Sequence, residues 1–135
     1  MTLRVTYGQR GEWVVLKVTG ELDLITSPVL RQRVHDAVAD GRHCLVLDLT
    51  EVVFCDSSGV GVLIATRRLI RSCRGRLRLI LPGYDDSGTA RPGGAGVGGG
   101  AHVNRVLAAL GVRRLFDVHP DVASATGEES SPLTA

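Results

Sequence analysis

A chain of 135 residues is one domain by length, with enough mass for a real hydrophobic core. Its apolar fraction of 44% is ordinary for a globular protein, no apolar run is long enough to span a bilayer, and the N-terminus lacks the features of a secretory signal. A cytoplasmic protein without membrane contact is therefore expected, and a net charge of only +2 gives no push towards nucleic acid.

Leu3 to Tyr7 alternates weakly and reads as a first strand, with a turn from Gly8 to Gly11. Trp13 to Val18 is a clearer strand that ends at Gly20, with Val14, Leu16 and Val18 sharing one face. Thr26-Ser27-Pro28 reads as a helix start, with a capping hydroxyl and then Pro at the first helical position. That helix runs to about Ala39, turns Leu30, Val34, Ala37 and Val38 to the core, and closes at Gly41. His43 to Leu49 is apolar on both faces and predicts the central strand. A polar turn, Asp56-Ser57-Ser58-Gly59, follows it. The next helix carries Val60, Leu63 and Ile70 on one stripe, broadened by Val62, Ala65, Leu69 and Cys73, and ends at Gly75. Arg67, Arg71 and Arg74 mark its solvated face. Arg76 and Arg78 read as the outer face of a strand, Arg76 to Leu81, whose Leu77, Leu79 and Leu81 point inward.

Residues 83–101 hold eight glycines and almost no large apolar group, so the segment reads as a flexible, glycine-rich insertion. Gly94 to Gly99 fits G-x-G-x-x-G, a pattern that a glycine tract meets by chance and that no strand immediately precedes here. A helix with Val106, Leu107 and Leu110 resumes at Val103 and ends at Gly111. A short strand at Leu115–Val118 and a last helix from Pro120 to Ala125 complete the domain, leaving 126–135 as a flexible tail. Strands and helices alternate, as in an α/β domain with parallel strands.

The turn at Asp56–Gly59 carries more than a helix cap requires. A cap explains one Ser or Asp, not two adjacent hydroxyls beside a carboxylate. The stretch resembles the signature of STAS domains, in particular the bacterial anti-sigma-factor antagonists, whose Asp-Ser-Ser-Gly turn is phosphorylated on its first Ser. That position is Ser57 here. Gly20-Glu21-Leu22-Asp23, with Thr26 soon after, matches a second element of the family. The likeness runs over roughly Leu3–Leu81 and resumes from Val103 to about Ala125.

The resemblance implies a single STAS-like domain over 1–125, with a small mixed, mostly parallel sheet and helices packed mainly on one face. It implies a binding switch and not an enzyme. The unphosphorylated chain would bind an anti-sigma factor that is also a serine kinase, and so release the sigma factor. Phosphorylation of Ser57 would end the interaction, and a phosphatase acting on phospho-Ser57 would restore it. Glu21, Asp23, Thr26, Asp56, Ser57, Ser58 and Gly59 are the expected partner-binding residues, with Asp23 offering its carboxylate to a basic group of the partner. Ser58 is expected to cap the helix or support the turn. A scaffold or sensory module that binds a small molecule or nucleotide and is never phosphorylated is the alternative.

The residues themselves point away from catalysis. No Gly-x-Ser-x-Gly elbow, Walker loop or metal-binding histidine spacing is present, so neither cofactor nor metal is expected. Cys44, Cys55 and Cys73 are odd in number and far apart, which argues against disulfides and zinc. Cys44 and Cys73 read as buried small hydrophobes. A reactive Cys55 would need a histidine that folding brings to it.

Overall fold

Two face patterns decide the layers. In the stretch Cys44–Leu49, Leu45, Leu47 and Leu49 lie on one side of the strand and Val46 on the other, all fully buried. Such a strand needs cover on both faces, and it forms the middle of the sheet. The computed structural model describes residues 2–81 and 99–127, with backbone only at 99–101. In chain order these form β1 (Leu3–Arg10), β2 (Trp13–Leu22), α1 (Ser27–Ala39), β3 (Cys44–Cys55), α2 (Ser57–Ser72), β4 (Arg76–Ile80), α3 (Gly99–Ala109), β5 (Asp117–His119) and α4 (Val122–Thr126). A short 3-10 turn at Arg113–Leu115 precedes β5.

The five strands lie in the order β1-β2-β3-β4-β5. β1 and β2 form an antiparallel hairpin, and every later pairing is parallel. Leu30 and Val34 of α1, Leu63 and Ile70 of α2, and Val103 and Leu107 of α3 pack on Val14, Leu16, Leu45, Leu47 and Leu79. On the opposite face α4 sets Ala125 against Trp13, Val46 and Ile80. The expected α/β fold with a mixed, mostly parallel sheet is present, with helices mainly on one side.

Several boundaries differ from the sequence reading, for reasons of pairing. β1 continues through Gly8 to Arg10, opposite Trp13, so the hairpin turn is only Gly11-Glu12. Ladder hydrogen bonds to β2 outweigh the weak strand preference of Gly8. β2 continues past Gly20 to Leu22, and β3 past Leu49 to Cys55, because these two ends pair with each other. Two register irregularities, between Lys17 and Thr19 and between Gly20 and Glu21, bend that extension. α3 begins at Gly99, so the last three residues of the expected insertion are helical; residues 82–98 lie outside the described residues. Thr126, the first residue of the expected tail, belongs to α4, and residues 128–135 lie outside the described residues.

Some side chains also differ. Leu115 lies in the 3-10 turn, and Phe116 is buried beside it. Leu110 and Ala65 are exposed, Cys44 and Cys73 are half-buried, and Thr66 is buried with its hydroxyl returned to the Val62 carbonyl at 2.8 Å. Arg78 is not a solvated outer residue. Its guanidinium lies 4.5 Å from the centroid of the Trp13 ring, pairs with Asp117 at 3.0 Å and donates to the Ala125 carbonyl at 2.6 Å. The planar cation thus anchors α4 to the sheet.

α2 ends earlier than expected, at Ser72 with Cys73 as its cap. Arg74, not Gly75, takes the left-handed conformation, at φ 61°. Gly75 is needed for another reason: a Cβ there would strike the His43 carbonyl. Arg74→Gly should therefore stabilise the protein, by up to ~1 kcal/mol, since only the strained residue changes. Gly75→Ala should destabilise it. Urea midpoints measured for the two variants should move in opposite directions.

Candidate functional site

Parallel strands end at one edge, and here β2 and β3 end in register. Glu21 lies opposite Phe54, and Leu22 opposite Cys55. The pairing carries one step further, with the Asp56 N–H donating to the Leu22 carbonyl at 3.2 Å. Gly59 then sits against both strands. A Cβ at that position would lie 2.8 Å from the Leu22 carbonyl oxygen and 2.8 Å from Cys55 Sγ, so only glycine lets α2 start this close to the sheet. This junction brings Glu21, Asp23, Thr26, Asp56, Ser57, Ser58 and Gly59 to one edge.

The cap of α2 is Asp56. Its Oδ1 accepts from the Ser58 N–H at 2.8 Å and the Gly59 N–H at 3.1 Å. The Val60 N–H returns to the Asp56 carbonyl. Ser58 contributes a backbone donor and not a hydroxyl cap. Ser57 is the first residue of the helix and is exposed. Its hydroxyl has no hydrogen-bond partner among the described residues, in contrast to Thr26 and Ser27 across the groove. An open groove of about 340 Å³ beside Ser58 separates the starts of α1 and α2, with Leu24, Pro28, Arg31 and Gly61 in its walls.

The second loop is tied to itself. Asp23 Oδ1 accepts from the N–H groups of Ile25 at 3.0 Å and Thr26 at 2.9 Å. The Thr26 hydroxyl accepts from the Asp23 N–H at 2.9 Å and donates to the Glu21 carbonyl at 2.7 Å, with Asp23 Oδ1 at 3.1 Å as the other acceptor in reach. Glu21 is likewise engaged, its Oε1 taking the Thr2 N–H at 3.1 Å. Asp23 is 8% exposed, covered by its own loop and not by the deep core. These donors, first of all the Thr26 N–H, hold its carboxyl below the usual carboxylate range, against an opposing desolvation effect. Asp23 and Thr26 thus build the loop from within. What the loop presents is Leu24, 69% exposed, and Ile25, 75% exposed.

Across the junction Val53 is 58% exposed and Phe54 41%. Sequence reasoning did not assign these four apolar residues to the site. A signal existed for Leu24 and Ile25: an apolar pair inside a loop too short to bury it. Cys55 is buried, and its thiol is pushed up to about 12 by desolvation and then by the charge of Asp56. Folding does bring a histidine near: His102 Nε2 lies 3.2 Å from the Cys55 carbonyl, while the Cys55 sulfur lies 3.6 Å from the Asp56 carbonyl. The thiol stays protonated at neutral pH and is no nucleophile. Among the described residues no group of three or more His, Cys, Asp or Glu side chains could hold a metal ion, and no helix is long and apolar enough to cross a membrane.

Fold and site together define a protein class. The family model of the STAS domain matches residues 4–86, and the chain belongs to that family. The curated relatives it matches are named as antagonists of anti-sigma factors. One, the anti-sigma-F factor antagonist RsfB of Mycobacterium tuberculosis, is 38% identical over 69 residues, which are 51% of this chain and 57% of that protein. The chain thus matches little more than half the length of that relative. Among solved structures, an anti-sigma factor antagonist from Mycobacterium paratuberculosis superposes with a TM-score of 0.70 at 24% identity, covering 94% of this chain and 93% of that one. The Bacillus cell fate determinant SpoIIAA in its phosphorylated form gives 0.62 at 19% identity, covering 94% and 99%. At these identities the structural likeness establishes the fold.

Two of the site's three carboxylates, Asp56 and Asp23, have separable roles in stability. Asp56→Ala should cost about 1 kcal/mol by removing the cap of α2, read as a lower urea midpoint. Asp23 should show itself in acid. Its carboxyl is depressed in the folded state, so its contribution is complete above the unfolded value near 3.8 and is lost as pH falls through the lower folded value. Asp23→Asn should therefore flatten the stability profile below about pH 4, with stability followed by urea titration at each pH.

Proposed function

We propose that this chain is an anti-sigma factor antagonist whose docking surface is the β2–β3 edge and whose switch is Ser57. The observation that carries this reading is the placement of an exposed hydroxyl, without a hydrogen-bond partner among the described residues, at the start of a capped helix, on a sheet edge where the fold leaves apolar side chains in solvent. Leu24, Ile25, Val53 and Phe54 supply the dehydrating contact. Asp23, Thr26 and Glu21 act by holding the loop that presents the first two. Asp56, Ser58 and Gly59 act by fixing the turn that presents Ser57. The partner is an anti-sigma factor with serine kinase activity, which binds the unphosphorylated chain in the cytoplasm and gives up its sigma factor. A phosphatase acting on phospho-Ser57 resets the chain.

The chemistry of the switch follows from the cap. Phosphorylation adds roughly −1.5 to −2 charges at neutral pH. A bare helix N-terminus would welcome that anion. Here Asp56 already takes the Ser58 and Gly59 donors, and the Ser57 N–H is the remaining orphan. A phosphate on Ser57 must therefore share the turn with a carboxylate. The cap keeps α2 in place, and the charge is directed outward, onto a surface that docks through apolar contact. Desolvating a dianion there opposes binding.

Capture from a lysate of the source bacterium on immobilised chain, followed by ATP and phosphopeptide mapping, tests the reading. Phosphate should appear on Ser57. Ser57→Ala should keep the captured partner bound, and Ser57→Asp should weaken it, roughly a hundredfold, with helical circular dichroism unchanged. Phosphate on Ser58 alone, or a Ser57→Asp variant that binds like the parent, would remove Ser57 as the switch.

A further inference from the structure

The family match ends at residue 86, before α3, yet α3 reaches the docking edge. His102, in the first turn of α3, stacks on Phe54 with ring centroids 5.4 Å apart and planes 19° from parallel. Its Nε2 lies 3.2 Å from the Cys55 carbonyl oxygen. A carbonyl only accepts, so Nε2 must carry the proton. The imidazole can keep this bond in its neutral and its protonated form. Both contacts fall on the last two residues of β3, directly before the turn that presents Ser57. Leu22 holds that turn from one side through the Asp56 N–H, and His102 holds the residues before it from α3.

We propose that His102 is a positioning residue of the docking surface: it fixes the Phe54 ring as a flat apolar contact and so sets partner affinity without touching the phosphorylation chemistry. Phe54 is 41% exposed, so one side of the ring is covered by the imidazole while much of it remains for a partner. Pre-orienting an exposed aromatic removes an ordering cost that binding would otherwise bear. The proposal rests on the antagonist reading given above, and it adds a residue that lies outside the matched family segment.

The test is a double-mutant cycle on partner affinity with His102→Ala, Phe54→Ala and the double variant, using the anti-sigma kinase captured by the parent chain. His102→Ala should weaken binding roughly three- to tenfold, the value of one aromatic pair. It should add nothing to Phe54→Ala, because its effect passes through that ring. In Ser57 phosphorylation it should raise KM and leave kcat unchanged. His102→Phe, which keeps a stacking ring, should recover most of the affinity. Unchanged affinity in His102→Ala, or additive losses in the double variant, would overturn the proposal. A second arm needs no partner: nitrogen-15 shifts of the His102 ring in the parent chain should report Nε2 as the protonated nitrogen, and His102→Ala should shift the Phe54 ring resonances. A ring protonated only on Nδ1 would overturn the proposed geometry. Failure of the parent chain to capture any anti-sigma kinase, with this NMR signature intact, would reject the antagonist reading and with it the proposed role in affinity.

Discussion

The register between the ends of β2 and β3 is the constraint on which the rest depends. Leu22 opposite Cys55, then the Asp56 N–H on the Leu22 carbonyl, fixes where β3 stops and where α2 starts. A slip of one residue would turn every side chain of the pair to the wrong face. Leu22 and Cys55 would leave the core, and the Asp56 cap would no longer meet the first N–H groups of α2. Gly59 records how tight this junction is, since its missing side chain is what allows the helix to rest on both strands.

From that junction two loops acquire different characters. The loop after β2 spends its polar groups on itself: Asp23, Thr26 and Ser27 satisfy one another and the backbone around them. Its polar interior forces its apolar residues, Leu24 and Ile25, outward. The turn after β3 spends only the Asp56 side chain on the helix and leaves the Ser57 and Ser58 hydroxyls without a hydrogen-bond partner among the described residues, Ser57 being the more exposed. A cluster of exposed apolar side chains, Leu24, Ile25, Val53 and Phe54, is the kind of surface that a partner covers. On the proposed reading, the same division would let a charge added at Ser57 act at the surface while the fold below it stays in place. The stabilising network of this edge is internal, and Ser57 belongs to none of it.

The two faces of the sheet divide the labour. One carries α1, α2 and α3, of which α2 and α3 reach the β2–β3 edge proposed for docking. The other is closed by a five-residue helix, held by Arg78 across Trp13 and by the His119 Nδ1 to Ser124 hydroxyl contact at 2.9 Å. Arg78 shows how easily an arginine is misread. Its place in an alternating strand makes it look solvated, but β2, one strand beyond its neighbour β3, supplies an aromatic face that turns it into a buttress.

The layout of this chain was largely legible without coordinates. The doubly apolar run Leu45–Leu49 determined a central strand, because both of its faces must be covered. The spacing of Leu30, Val34 and Ala37 determined the buried side of α1. The Asp-Ser-Ser-Gly turn marked the site, because that density of small polar groups between a strand and a helix exceeds what a cap needs. Tertiary structure decided the rest. β2 and β3 run past their apolar stretches because strand pairing satisfies backbone groups whatever the side chains are. Asp23 turns into its own loop because the N–H groups of Ile25 and Thr26 close on its carboxylate, a local turn that sequence alone leaves open against a solvated carboxylate and that the loop's conformation settles. His102 meets Phe54 across 48 positions of sequence, and a contact between segments that far apart exists only once the sheet brings α3 to the end of β3.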